Sequence, residues 1–457
     1  MKDSAQSAGG SGSGPKMLGP LKIRDFALLW TGLTVSLIGD GMFFVALPLQ
    51  VFKLSDSASV YTLILLAWTI PLVLLLIPSG VLSDRVDRRR MLMFSNLLQG
   101  VAIGVLGILS VSGSIELWHI AVAVAVYGGA EALFGPAFGA IVPDIVPRDQ
   151  LVEANALDNF SRPFSLRVAG PAIGGLVVAV FGLGQAFLID AVTFVIANVF
   201  LFLMQPRKVH RAEGEALHLS DAREGFAFVR AHRWLWGALL SSAVGLLVFY
   251  GPWQALVPHL IKYKLGGSES DFGMVLAIGG VGALSASIFI GQRNLPRRSL
   301  TTMYIVMAAG TLMLTGFGLS SRLWQVALAS FFLQAFFTIG IIVWNTTMHR
   351  EVPGAILGRV SSLDWLVSTS LIPISLAVTG PLSAALGDDT TLVVAGIVGA
   401  VVMVSFMMIP GVLDPEKRPP AGHEPHVPPA ATADPSEKVI LPPPATPEWN
   451  FTPDDPQ

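Results

Sequence analysis

Gly80-Val81-Leu82-Ser83-Asp84-Arg85-Val86-Asp87-Arg88-Arg89-Arg90 is the stretch on which the reading of this chain turns. It is dense in charge, yet it lies between two runs, near 60–82 and 91–111, that carry none. An apolar helix of about 20 residues crosses the roughly 30 Å hydrocarbon core of a bilayer. A short charged turn between two such runs therefore belongs at a membrane surface. There Asp84 can cap a helix or pair with an arginine, and Gly80 leaves room for a second helix to come close. Charge pairs that break and re-form in such a turn can bias two states.

Ten further apolar runs of similar length follow the same pattern. They lie near 26–51, 117–142, 157–181, 184–204, 236–260, 271–291, 300–319, 323–347, 359–385 and 391–412. With these the chain is expected to cross the membrane twelve times. Composition agrees. The 457 residues are 53% hydrophobic and 13% charged, about half the charge of an average soluble domain, and mean hydropathy is +0.65. A net charge of −2 offers no basic field for nucleic acid. With no cysteine, disulfides, thiol catalysis and cysteine-held metals are excluded. No cleavable signal is expected, because Met1 to Lys16 is polar and rich in Gly and Ser.

Lys and Arg set the expected orientation. If both termini are cytoplasmic, the inner connections receive Arg85, Arg88, Arg89, Arg90, Arg148, Arg207, Arg293, Arg297, Arg350 and others. The outer ones receive only Lys53, Lys262, Lys264 and Arg322, as the positive-inside rule requires. The expected organisation is a flexible tail over 1–22, a six-helix bundle over 23–205, a linker over 206–233, a second bundle over 234–413 and a disordered Pro-rich tail over 414–457. Within the linker, Ser220 or Asp221 would cap a short amphipathic helix bearing Phe226 and Val229.

The charged turn resembles the G-x-L-A-D-R-x-G-R-[KR] signature of the major facilitator superfamily, with Asp87 where that family has a second glycine. Gly291 to Arg298 looks like a decayed second copy. The resemblance implies an all-α membrane protein of twelve transmembrane helices in two pseudo-symmetric six-helix bundles. It also marks Gly80, Asp84, Arg85, Arg88 and Arg89, with Arg359 in the second half, as a conformational-switch motif. Gly170-Pro171-Ala172-Ile173-Gly174-Gly175 resembles the core of the exporter-type signature of drug–proton antiporters, although Leu166 stands where that signature has an earlier glycine. Read without the resemblance, Gly170, Pro171, Gly174 and Gly175 form a small-residue packing face. Three further blocks resemble the bacterial branch that contains macrolide-efflux and enterobactin-export proteins. They are Arg24 to Trp30 with Ser36 to Asp40, Pro143 to Pro147 with Glu153 to Leu157, and Val352-Pro353 with Gly358 to Ser362.

Charges at membrane depth are costly and so are candidates for function. Asp40 and Glu131 are the two acids deepest in the first half, on helices that line the central cavity in the resembled family. Ser36, Asp40, Phe43 and Leu47 share one helical face, with Phe44 beside it, and Tyr127, Glu131, Phe134 and Phe138 share another. A carboxyl in an apolar cavity can take up and release protons, which a proton antiporter requires; the alternative is an acid that merely caps or pairs inside the bundle. Tyr250, Trp253 and Gln254, with Gln334, Thr338 and Asn345, are the candidates for the cavity wall in the second half. Asp190 is expected at a packing interface, Asp158 with Arg162 and Arg167 in a charge network, Asp364 near Arg359 and Arg350, and His259 at the surface.

The expected function is export of amphipathic small molecules by alternating access, coupled to proton entry, in a bacterial cytoplasmic membrane. Import on the same fold and a transport-inactive sensor are the alternatives. No ATP-binding loop, H-E-x-x-H or G-x-S-x-G is present in the sequence, so no enzyme activity, metal or cofactor is expected beyond the proton gradient. The partners expected are a small-molecule substrate and the lipid bilayer, with no nucleic acid and a monomeric state.

Overall fold

The computed structural model describes residues 16–83, 86–147, 150–205, 226–292 and 296–417. Among them twelve helices are long and apolar enough to cross a membrane, and no strand is present. They are α1 (Arg24–Leu54), α2 (Ala58–Ser83), α3 (Arg88–Val111), α4 (Leu117–Ile145), α5 (Leu151–Phe164 and Gly170–Phe181), α6 (Leu183–Leu203), α7 (Arg233–Gly251, running on to Lys264), α8 (Glu269–Gly291), α9 (Ser299–Gly318), α10 (Leu323–Glu351), α11 (Gly354–Ser370 and Ile372–Leu386) and α12 (Asp388–Met407). Only helices satisfy every backbone polar group internally in hydrocarbon, apart from closed barrels. The expected spans match within a few residues, except that α5 and α11 begin five or six residues early.

The two halves repeat one packing scheme. In the first, α2 lies on α4, α3 on α4 and α6, and α1 on α5 and α6. Six helices later, α8 lies on α10, α9 on α10 and α12, and α7 on α11 and α12. Contacts between halves obey the same rule: α5 meets α8, and α11 meets α2. Even the tightest connections correspond. Gly182 between α5 and α6 has φ +99°, and Gly387 between α11 and α12 has φ +82°. A chain that reverses within one residue needs this left-handed backbone, which glycine adopts without a Cβ clash.

The glycines of α5 set the helix spacing. A Cβ on Gly170 would lie 2.6 Å from the Cα of Gly41 on α1, and one on Gly174 would lie 2.7 Å from the Cα of Met42. Gly175 faces the other half, where its Cβ would be 3.1 Å from the Cα of Gly273 on α8. The sequence motif thus brings α5 against α1 on one side and against α8 on the other. Just before it, Ser165–Ala169 forms a π-helical turn, a local widening that frequently marks functional sites.

The charged turn is only partly described, and Asp84 and Arg85 lie outside the described residues. Asp87 caps α3, its carboxylate accepting the Arg90 N–H at 3.0 Å; this accounts for an acid where the resembled signature has glycine. Arg88 pairs with Asp144 of α4. Arg89 donates to the last carbonyls of α6, Leu201 at 2.6 Å and Phe202 at 2.7 Å, where a cation complements the helix dipole. Among the described residues nothing lies within 4 Å of a Cβ built on Gly80, so the close helix approach expected there is not found. Arg359 lies on α11.

Helical structure reaches into both expected tails. Lys16–Lys22 forms a short 3-10 helix, and Asp414–Lys417 forms another. Glu416 accepts from the Thr301 N–H at 2.6 Å and its hydroxyl at 2.7 Å, satisfying a donor in the first turn of α9 that has no partner within the helix. The expected disorder over 418–457, and the caps at Ser220 and Asp221, lie outside the described residues. Residues 226–231 are helical, with Val229 buried and Phe226 exposed.

A Gly175→Leu substitution would drive a side chain into the α8 backbone. We expect it to lower the thermal unfolding midpoint of the purified protein by the equivalent of about 1–3 kcal/mol. Gly135→Ala, at a helical position with open space around its Cβ, should hold or slightly raise it.

Candidate functional site

A cavity of about 120 Å³ opens among α1, α3, α4 and α5, with Phe194 of α6 at its edge. Two acids face it. Asp40 accepts the Tyr127 hydroxyl at 2.5 Å, and Glu131 accepts the Trp68 indole N–H at 2.9 Å. Each carboxylate is held by a neutral donor, and among the described residues neither forms an ion pair. The charges of Glu131 and Arg162 are near enough to act on Asp40. Arg162 itself pairs with Asp158 at 3.4 Å and lies 5.1 Å from the centre of the Phe138 ring.

The helical faces read from the sequence are brought in, but rotated. Ser36, Asp40 and Phe44 line the cavity together with Leu33 and Leu37. Phe43, expected at the wall, is fully buried. It stacks on Tyr127 with ring centres 5.1 Å apart and meets the Trp68 edge at 6.0 Å. This aromatic packing fixes the two donors that hold the acids. On α4, Tyr127, Glu131 and Phe134 line the cavity, whereas Phe138 lies beside a smaller hollow next to Asp158.

The second-half candidates do not line this cavity. Tyr250 and Trp253 are half-buried in an aromatic group with Phe249, although the charge of Glu131 reaches Tyr250. Gln334 crosses between halves, accepting from Arg167 at 3.3 Å. Gln254 and Thr338 are half-buried, and Asn345 is exposed. Asp364, expected near Arg359 and Arg350, takes the Trp344 indole N–H at 3.0 Å and the Ser368 hydroxyl at 3.3 Å. His259 is not a free surface ring, since Asp388 and Asp56 hold it.

Three contributors escaped the sequence reading, and a fourth, Asp190, was expected only at a packing interface. Trp68 reads as one more aromatic in an apolar helix until its N–H is seen on Glu131. Asn96 and Gln99 line the cavity from α3; two amides three residues apart in an uncharged span were a visible signal. Asp190 is completely buried. It accepts from Thr193 at 3.3 Å, while its other oxygen has no partner among the described residues. It presses on α1 so closely that a Cβ on Gly39 would overlap Asp190 and Thr193, and its charge reaches both Asp40 and Tyr127. Three acids therefore surround one tyrosine.

A twelve-helix repeat fold with acids facing a half-bundle cavity is the architecture of a membrane transporter. The chain belongs to the transmembrane secretion effector family of the major facilitator superfamily, whose model matches residues 16–430. Macrolide efflux protein A of Streptococcus pyogenes is 24% identical, over 81% of this chain and 92% of its own length. The multidrug efflux pump Tap of Mycolicibacterium fortuitum is 27% identical, over 82% and 91%. The transporter YfiS of Bacillus subtilis is 28% identical, over 79% and 88%. Among solved structures, a bacterial homologue of the iron transporter ferroportin in an inward-facing state superposes with a TM-score of 0.63 at 18% identity, covering 84% of this chain and 99% of that one; this likeness concerns the fold. The chain is thus a multi-pass membrane transporter with bacterial relatives, and not an enzyme.

Tyr127→Phe keeps the stack on Phe43 and removes the donor to Asp40. We expect a loss of about 1–3 kcal/mol in thermal unfolding, the range for stranding a buried acceptor. Combined with Asp40→Asn the loss should be clearly less than additive, as a double-mutant cycle on a direct bond requires.

Proposed function

We propose that this transporter exports amphipathic small molecules by proton antiport and alternating access. Asp40 and Glu131 exchange the protons, and the first-half cavity receives part of the solute. The observation that carries this reading is the pair of cavity acids held by neutral donors. A carboxylate locked to an arginine would resist protonation, whereas a hydroxyl and an indole leave both protonation states accessible. Phe44, Tyr127 and Phe134 beside the acids offer an apolar wall with a polar handle, suited to a solute of mixed character. Tyr250, Trp253, Gln254, Gln334, Thr338 and Asn345 would complete the path when the halves move. The efflux functions named for the relatives support outward transport. The excess of Lys and Arg in one set of connections supports cytoplasmic termini, and the charged turn with Arg359 would bias the two states.

The antiport cycle follows from charge. A proton entering from outside neutralises an acid, weakens its hold on a cationic or polar solute, and leaves on the inner side before the next solute binds. Erythromycin and ethidium serve as probes in cells expressing the protein. We expect expression to lower their accumulation, an uncoupler to restore it, and Asp40→Asn with Glu131→Gln to restore it at unchanged protein level. Unaltered gradient-dependent efflux by the double variant would refute proton exchange at these acids. Expression that raised accumulation instead would indicate import.

A further inference from the structure

At the end of the bundle where α1 finishes and α12 starts, the last turns of α7 grip the end of α1. A helix leaves its final four carbonyls without partners, and the Phe52 carbonyl is one of these on α1. It accepts from Lys262 Nζ at 2.9 Å and from Tyr263 Oη at 2.9 Å, both from the other half. Tyr263 Oη also lies 2.5 Å from the Asp56 carboxylate. His259 uses both ring nitrogens: Nε2 lies 2.9 Å from the Asp56 carbonyl, and Nδ1 is bonded to the carboxylate of Asp388 at the start of α12. Ser383 of α11 donates to the other Asp388 oxygen. The Phe52 ring packs against His259 at 5.3 Å and Tyr263 at 5.9 Å.

The proton count follows from the partners. A carbonyl only accepts, so Nε2 must carry a hydrogen. The contact between Nδ1 and Asp388 needs a second proton between them. Whether that proton rests on the ring or on the carboxyl, the pair holds one more than a neutral imidazole beside a carboxylate. Without it, an Nδ1 lone pair faces carboxylate oxygens. The ring can then keep Asp388 only by moving its remaining hydrogen to Nδ1 and dropping Asp56.

We propose that His259, braced by Asp388, is a proton-dependent clasp that holds the two halves together at this end, and that loss of its proton releases Asp56 and lets the end open. The inference rests on the alternating-access reading above, but it uses groups separate from the cavity acids. The charged or titratable groups facing His259 are Asp388, Asp56, Tyr263 and Lys262. Lys264 is engaged with Asp389 at 2.9 Å, and Glu269 acts on Lys262. Asp388 serves as the positioning residue, whereas His259 makes the bond that crosses between halves.

The chain has no cysteine, so spin labels can be placed without background. Ser112→Cys and Ser321→Cys, both exposed, report on the clasp end. Gln205→Cys and Arg297→Cys, also exposed, report on the other. Distances are read by pulsed electron resonance in lipid nanodiscs from pH 5 to pH 9. In the otherwise unchanged chain the short clasp-end distance should dominate at pH 5 and yield to a longer one as pH rises. His259→Gln should raise the long population at pH 5 by about tenfold or more, the scale of one charge-assisted hydrogen bond, and abolish its pH response. Asp388→Asn should weaken that response, whereas Asp56→Ala, which keeps the carbonyl, should preserve it. Identical clasp-end distributions in His259→Gln and its parent, with two populations still seen at the other end, would overturn the clasp alone. A single population at both ends under every condition would remove the two-state reading and the clasp with it.

Discussion

Helices in a bilayer gain nothing by hiding apolar surface from lipid, so their association depends on how closely their backbones can approach. In this chain α5 is one of the helices on which that constraint is met. Gly170 and Gly174 meet Gly41 and Met42 of α1, and Gly175 meets Gly273 of α8. A helix held by backbone contacts on two sides is placed within tenths of an ångström, and the side chains it carries inherit that placement. Arg162 and Leu166 reach the first-half cavity from the turns just before the glycines. Arg167, within the π-helical turn, reaches Gln334 across the interface.

The same economy explains how polar groups are tolerated at depth. Arg88 and Arg89 at the charged turn are engaged by neighbouring helices. Arg89 closes the end of α6 and Arg88 joins α3 to α4, while Asp87 caps α3. Asp40 and Glu131 find neutral donors, and these are aromatic side chains whose rings are locked in the core around Phe43. One packed aromatic group thus gives rigidity to the bundle and orientation to the carboxylates. Asp190, with one oxygen unpartnered among the described residues, is where that provision is incomplete. Unsatisfied buried polar atoms are expected at working sites more than in purely structural ones.

Ends and middle of the molecule carry different tasks. The cavity acids and their donors lie within one half, whereas the bonds from Lys262 and Tyr263 to α1, and from His259 to Asp56 in the α1–α2 connection, join one half to the other. The interface between halves has the symmetry of the helices that form it, α5 with α8 and α11 with α2. Such a pair of related contacts allows one half to rock on the other with little change inside either.

The sequence by itself determined the number of crossings and the depth of the acids, because each depends on local composition along a period of 3.6 residues and on the cost of charge in hydrocarbon; the family was legible in the motifs of the charged turn and of α5. Asp40 and Glu131 were legible for that reason, and so was the glycine face of α5. What a helical wheel cannot supply is rotation. It put Phe43 on the cavity wall and left Trp68 unremarked, because which side of an apolar helix meets the core is decided by neighbours distant in sequence. The same holds for His259, whose partners Asp56 and Asp388 are more than a hundred residues away on either side. Tertiary structure alone brings three such residues together, and only then do two ring nitrogens and two acceptors set how many protons the group holds.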